Sequence, residues 1–177
     1  MERALQLVID ACEGKPYGLD PKATFQRVCT DSRQIQPDDL FVALRGEHFN
    51  GNQFAEQALE KGASAVVLDE SIEGLEPCLM VSDGCQALGQ LGAAHRCEFD
   101  LPVIAIVGSN GKTSTKDMLA SILRAQFETL HSEASFNNAI GVPTTLLRLD
   151  LQHQVAVVEL GTNHPGGLAP LIRNCLL

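Results

Sequence analysis

Apolar residues recur along this chain in two rhythms, one helical and one strand-like. Leu5, Val8, Ile9 and Cys12 fall at helical spacing, and Gly14 ends the run. Residues 25–30 read as a strand, Pro37-Asp38-Asp39 as a turn, and residues 40–44 as a second short strand. Phe54, Ala55, Ala58 and Leu59 mark a helix that Gly62 closes. Residues 65–68 and 78–81 are short apolar strands, and Leu88, Leu91 and His95 share one face of a helix starting near Asp83.

Asp100-Leu101-Pro102 interrupts the pattern, and a domain boundary is expected there, separating residues 1–100 from 101–177. Beyond it the units lengthen: a strand at 103–107, a helix from 113 to about 126, a strand near 128–131, a loop, a helix from Pro143, a strand at 155–158 and a helix-like stretch at 168–177. Strands and helices alternating at this length predict an α/β chain with a parallel sheet covered by helices. The second part supplies only about three strands, fewer than the usual four to six, so it reads as a domain cut partway. The expected architecture is a small N-terminal α/β domain followed by a truncated parallel-sheet, phosphate-loop domain.

The junction at 103–113 carries the sharpest chemistry. Val-Ile-Ala-Ile-Val-Gly-Ser-Asn-Gly-Lys-Thr joins an apolar run to a tight glycine loop and a helix start. Such a loop turns backbone N–H groups onto an anion, at the positive end of a helix. Gly108, Ser109, Asn110, Gly111, Lys112, Thr113 and Ser114 are therefore candidate nucleotide-phosphate ligands, with Lys112 supplying charge and Thr113 a hydroxyl for Mg²⁺. Ile106 stands where the longer G-x-x-x-x-G-K-T pattern has its first glycine. The plainer reading is an ordinary Gly-Ser-Asn-Gly turn. Glu159 ends the run Val155-Ala156-Val157-Val158, at the same carboxyl edge of the expected sheet. There it is a candidate Mg²⁺ ligand opposite Thr113, or else a solvated strand-end carboxylate.

Three further segments are ambiguous. Thr30-Asp31-Ser32-Arg33 suits turn capping, or an anionic sugar-nucleotide held by the Ser32 hydroxyl and Arg33 guanidinium. Asn137 and Asn138, in the loop begun by Ser135-Phe136, are loop formers or neutral groups for amide and hydroxyl recognition. His164 follows Gly161-Thr162-Asn163, as a solvent-facing loop histidine or a ligand contact.

Composition narrows the partners. The 177 residues carry a net charge of −9 and no basic tract, which argues against nucleic acid. Cys12, Cys29, Cys78, Cys85, Cys97 and Cys175 form no C-x-x-C pair. Scattered among apolar positions, they suit reduced, mostly buried thiols of a cytoplasmic protein rather than a zinc site. The start Met-Glu-Arg-Ala-Leu lacks the features of a signal peptide, and no apolar run is long enough to span a bilayer.

Taken together, these segments resemble the N-terminal part of the Mur ligase family, the ATP-dependent enzymes that add amino acids to the peptidoglycan precursor. The resemblance runs over nearly the whole chain. It rests on Thr30-Asp31-Ser32-Arg33, Leu40-Phe41-Val42-Ala43-Leu44-Arg45-Gly46-Glu47 and the Gly-Ser-Asn-Gly-Lys-Thr loop. Lys116-Asp117, Asn137-Asn138-Ala139-Ile140-Gly141-Val142-Pro143 and Glu159-Leu160-Gly161-Thr162-Asn163 are similar to the branch that adds D-alanyl-D-alanine to UDP-N-acetylmuramoyl-tripeptide. The resemblance implies ATP and Mg²⁺ as cofactors, those two compounds as partners, and a cytoplasmic enzyme that is a monomer at full length. It implies catalytic roles for Lys112 and Glu159, metal ligation by Thr113 and Glu159, and substrate contacts by Ser32, Arg33, Asn137 and Asn138.

Some positions depart from the family pattern. Asn50-Gly51-Asn52 replaces a common Asp-x-His, Ala134 a common glycine and Gly167 a usual Glu, and residues 174–177 do not continue the pattern. The resemblance also implies that a second histidine metal ligand, a modified lysine and most of the dipeptide site belong to sequence beyond this chain. A truncated, inactive fragment is the expectation. The alternatives are a nucleotide- or UDP-sugar-binding piece without catalysis, the tripeptide-forming Mur ligase, or a folylpolyglutamate-type synthetase.

Overall fold

The computed structural model describes residues 2–134, 136–162 and 167–175, with 174 and 175 described by their backbone alone. In chain order the elements are β1 (Arg3–Ala4), α1 (Leu5–Ala11), β2 (Lys15–Tyr17), β3 (Thr24–Phe25), β4 (Arg27–Cys29), β5 (Asp39–Val42), β6 (Arg45–Gly46), β7 (Phe49–Asn50), a 3₁₀ turn (Gly51–Phe54), α2 (Ala55–Glu60), β8 (Ala65–Leu68), β9 (Cys78–Met80) and α3 (Gly84–Cys97). They continue with β10 (Val103–Ile106), α4 (Lys112–Leu123), β11 (Thr129–His131), α5 (Gly141–Leu146), β12 (Val155–Glu159) and α6 (Leu168–Cys175). The chain forms two compact units, Met1–Leu91 and Gly92–Leu177, so the division falls within α3.

In the first unit a five-stranded sheet has the order β2-β9-β8-β5-β4. Its four inner and far strands are parallel, and β2 joins antiparallel at the edge. Continuous apolar runs make β5 and β8, as expected of parallel strands covered on both faces. Phe41, Val66 and Leu68 pack against Ala55 and Ala58 of α2. The single strand expected at 25–30 is two strands: β3 pairs with β1 and β4 with β5. Gln26 is the switch between the sheets, its N–H donating to Asp38 O at 2.8 Å. Asp83 Oδ1 accepts Gln86 N–H at 2.7 Å and so caps α3.

The second unit holds a wholly parallel sheet of order β10-β12-β11. Central β12 is buried at every position, whereas β10 is only half-buried along its length. The strand expected at 103–107 is shorter: β10 ends at Ile106 on an edge of the described sheet, and Val107 lies beyond it, exposed. Leu130, Val142, Leu146, Val158, Leu160 and Leu171 form the core. His95 is fully buried, with Nε2 at 3.0 Å from Leu149 O and its ring edge-on to Phe99.

The described cysteines share no disulfide: Cys12, Cys29 and Cys78 are buried, Cys85 is half-buried and Cys97 exposed. Burial pushes the Cys12 thiol up to about 12. Among the described residues no helix is long and apolar enough to cross a membrane.

Candidate functional site

The site grows from the register of two parallel strands. Ile106 pairs with Glu159, so β10 and β12 reach the carboxyl edge of the sheet together. Leu160 N–H donates to Ile106 O at 3.0 Å and holds them level. From that edge the chain turns through Gly108 at φ 154° and Gly111 at φ 73°, conformations that favour glycine. Nothing crowds Gly111, so backbone conformation rather than space demands the glycine there. Gly111 caps α4 without a side chain, leaving the first-turn N–H groups directed at the loop.

Glu159 ends β12 almost fully buried, at 1% exposure. Its two oxygens have different partners: Thr113 Oγ donates to Oε2 at 2.8 Å, and Asn137 Nδ2 to Oε1 at 2.7 Å. Its own N–H donates to Ser132 Oγ at 3.2 Å. Asn137 is held in turn, its carbonyl accepting Gly161 N–H at 2.8 Å. Lys112 Nζ donates to Gly108 O at 2.8 Å, back across the loop.

A cavity of about 410 Å³ is lined by residues 109–114, Asn137 and Glu159. A second, of about 390 Å³, shares Lys112 and Asn137 with it and extends to Asn138, Gly161, Thr162 and the start of α6. Ser109, Asn110, Gly111, Lys112, Thr113, Ser114, Asn137 and Glu159 thus converge on one cavity. The Thr113 hydroxyl beside the Glu159 carboxylate is a hard-oxygen pair of the kind Mg²⁺ takes. Free helix-start amides and the Lys112 ammonium suit phosphate, so the residues present fit Mg²⁺-nucleotide.

Asn138 does something else with its carbonyl. Its Oδ1 accepts the N–H groups of Ile140 and Gly141 at 3.1 and 2.9 Å, starting α5 and leaving only the amide nitrogen to face a ligand. That cap also explains why α5 begins at Gly141, two residues before Pro143, which then sits harmlessly in the first turn.

Ser32 and Arg33 belong to the first unit. Ser32 is buried, and its carbonyl accepts Lys61 Nζ at 2.7 Å. Arg33 has its side chain 86% exposed and forked onto Asp31, with contacts of 2.8 and 2.7 Å. That guanidinium, with the Arg33 N–H, holds the Asp31 carboxyl well below the usual carboxylate range. An anion arriving at Arg33 therefore competes with Asp31. Asn50 and Asn52, at the departure from the family pattern, bond to each other and to Asp69 and Glu70. Ser135 and the Asn163–His164 pair lie outside the described residues.

Two residues of the site escape sequence reasoning. Ser132 carries no motif. Lys116 is visible only as half of a Lys-Asp pair, yet it is 1% exposed and bonded to the carbonyls of Ser132 and Ala134. A lysine at an outwardly polar helix position gives no sign of burial.

A parallel sheet whose strand-end acid faces a phosphate loop defines a nucleotide-binding α/β protein. Comparison with known proteins narrows this class. Residues 24–96 match the Mur ligase family, catalytic domain, and residues 106–173 the Mur ligase middle domain. The chain belongs to the Mur ligase family. It is 42% identical over 165 residues to the UDP-N-acetylmuramoyl-tripeptide–D-alanyl-D-alanine ligase of Escherichia coli, covering 93% of this chain and 36% of that protein. Its structure matches MurF from Acinetobacter baumannii with a TM-score of 0.93 at 38% identity, over 99% of this chain and 39% of that one. MurF ligase from Thermotoga maritima, solved in complex with ADP, matches with a TM-score of 0.78 at 26% identity, over 84% of this chain and 35% of that one. The chain thus spans little more than a third of the relatives it matches.

Proposed function

We propose that this chain is part of an ATP- and Mg²⁺-dependent cytoplasmic ligase that joins D-alanyl-D-alanine to UDP-N-acetylmuramoyl-tripeptide. The observation that carries the reading is the Thr113–Glu159 contact beside the phosphate loop. The named relatives supply the substrate pair, and the ADP complex of a relative supports the nucleotide.

In this reading the terminal carboxylate of the tripeptide takes the γ-phosphoryl group, giving an acyl phosphate and ADP. The amine of D-alanyl-D-alanine then attacks the acyl carbon and phosphate leaves. Catalysis rests on positioning and charge neutralisation. Residues 108–111 cradle phosphate with backbone N–H groups, and Lys112 contacts the β- and γ-oxygens. Thr113 and Glu159 would hold Mg²⁺, which would supply charge neutralisation at the phosphates. Asn137 orients Glu159 and faces the cavity of about 390 Å³, where the reacting carboxylate fits. Residues 1–100 bind the UDP end, with Ser32 and Arg33 as contacts, and residues 101–177 bind ATP.

A second reading applies to residues 1–177 taken alone: nucleotide binding without ligation. It is favoured by the share of the relatives that the chain covers. One experiment separates the two. The full-length protein carrying this sequence, and residues 1–177 alone, are each given ATP, Mg²⁺, the UDP-tripeptide and D-alanyl-D-alanine, and product is read by mass spectrometry. Product from the full-length protein only is the expected result. Absence of product from a full-length protein that binds both substrates overturns the ligase reading.

A further inference from the structure

The phosphate chemistry leaves Lys116 without a part, yet its ammonium is built into the site with care. It lies one helical turn past Lys112 on α4 and is 1% exposed. Burying a charge of this kind requires close partners. Nζ donates to Ser132 O at 2.8 Å and to Ala134 O at 3.0 Å, and Asp117 Oδ1 lies 3.0 Å away. The two carbonyls belong to the segment that leaves β11. There Ala134 adopts φ 42°, a left-handed backbone that a residue with a side chain rarely takes.

That same segment supports Glu159. Ser132 Oγ accepts the Glu159 N–H at 3.2 Å. The turn closes through Phe136 N–H to Glu133 O at 3.0 Å and delivers Asn137, whose amide holds Glu159 Oε1 at 2.7 Å. We infer that Lys116 is a positioning residue: by clamping the Ser132 and Ala134 carbonyls it aims the Glu159 carboxylate at the Mg²⁺-nucleotide site. The inference rests on the nucleotide reading given above. Removing the clamp frees the segment, and both supports of Glu159 loosen with it. Groups that orient a metal ligand in this way are worth about 10–100-fold in metal affinity when lost.

The test uses the full-length protein carrying this sequence, with Lys116→Met, Lys116→Arg and Ser132→Ala. ADP binding is measured by calorimetry across a Mg²⁺ series, and amide hydrogen exchange is followed over residues 130–138 without nucleotide. Lys116→Met is expected to lose exchange protection there and to need about 10–100-fold more Mg²⁺ for half-maximal ADP binding. Lys116→Arg, which keeps charge and donors, recovers part of the shift. Ser132→Ala leaves the clamp in place and deletes only the contact to Glu159, so it shifts the Mg²⁺ requirement in the same direction. If Lys116→Met does not fold, Lys116→Gln, a neutral residue that can still donate to one carbonyl, decides: a parent-like Mg²⁺ requirement in it overturns the inference. A lower melting temperature in Lys116→Met with the parent's Mg²⁺ requirement overturns the inference and leaves the nucleotide reading intact. A parent protein that binds no Mg²⁺-ADP overturns both.

Discussion

Thr113 and Glu159 stand 46 residues apart in the chain and meet at 2.8 Å, hydroxyl to carboxylate. The meeting is fixed by backbone before any side chain takes part. Ile106 and Glu159 are register partners, and the loop from Ile106 returns the chain to the same edge as α4 begins. Glu159→Gln tests what the carboxylate contributes. The amide keeps the shape but sets an N–H₂ against either Thr113 or Asn137, and it withdraws a negative charge from a cation site. Mg²⁺-dependent ADP binding is expected to weaken by at least about tenfold, measured by calorimetry, with secondary structure by circular dichroism unchanged.

Lys112→Ala separates chemistry from folding. Lys112 is outside the core, and its side-chain contact is the Gly108 carbonyl. Turnover by the full-length ligase is expected to fall by about 10²–10³ while the melting temperature stays near that of the parent. Near-normal turnover would remove Lys112 from the phosphate site.

Gly111→Ala probes the loop backbone. The position has open space but a φ of 73°. The added methyl is therefore expected to destabilise by about 1–2 kcal/mol through conformation alone. Urea unfolding reads that cost, and an unchanged midpoint would show that the loop relaxes out of its left-handed turn.

Within the second unit the turn from α3 to β10 is held by Arg96, whose guanidinium donates to Phe99 O and to Leu101 O. Arg96→Ala should free the connection around the exposed Asp100. Limited proteolysis is expected to nick residues 98–102 faster in this variant than in the parent, with the fragments identified by mass spectrometry. Equal rates would mean that the link owes its order to something other than Arg96.

Asp31 sets a pH dependence with a definite sign. Its carboxyl is held below the ordinary carboxylate range, chiefly by the Arg33 guanidinium. A depressed carboxylate contributes stability above its unfolded value and loses it as pH falls from there through the folded value. Any contribution of the Asp31–Arg33 pair is therefore present at neutral pH and disappears only in acid below about pH 4. Arg33→Ala is expected to return the Asp31 titration, followed by NMR, toward the ordinary carboxylate range. Because the pair is exposed, stability at pH 7 should change little.

Much of this fold is legible in the chain itself. Residues 65–68 and 155–159 read as strands because buried parallel strands need unbroken apolar runs, and Gly108-Ser-Asn-Gly-Lys-Thr announces its turn through glycine chemistry. What escapes is set by partners distant in sequence. Gln26 divides a continuous strand pattern because two different sheets claim its flanks. The pairs Arg45–Gly46 and Phe49–Asn50 are too short to show a period. β10 looks as apolar as β12, and only its place at an edge makes it half-buried. In the site, Lys112, Thr113 and Glu159 belong to readable motifs, whereas Lys116 and Ser132 make their contacts to backbone carbonyls and an N–H that no residue pattern encodes.

The Lys112–Gly108 contact bears on how quickly the loop can work. An ammonium free in water carries a full hydration shell, and stripping it takes time and energy at each encounter with a ligand. Here the cation already rests on a carbonyl oxygen of the loop, 2.8 Å away. Under the proposed function, capturing a phosphate amounts to handing Nζ from one oxygen to another over a short swing of the side chain. In the proposed reaction the loop's backbone would thus serve as a local stand-in for the nucleotide, holding the Lys112 charge in place between ligands.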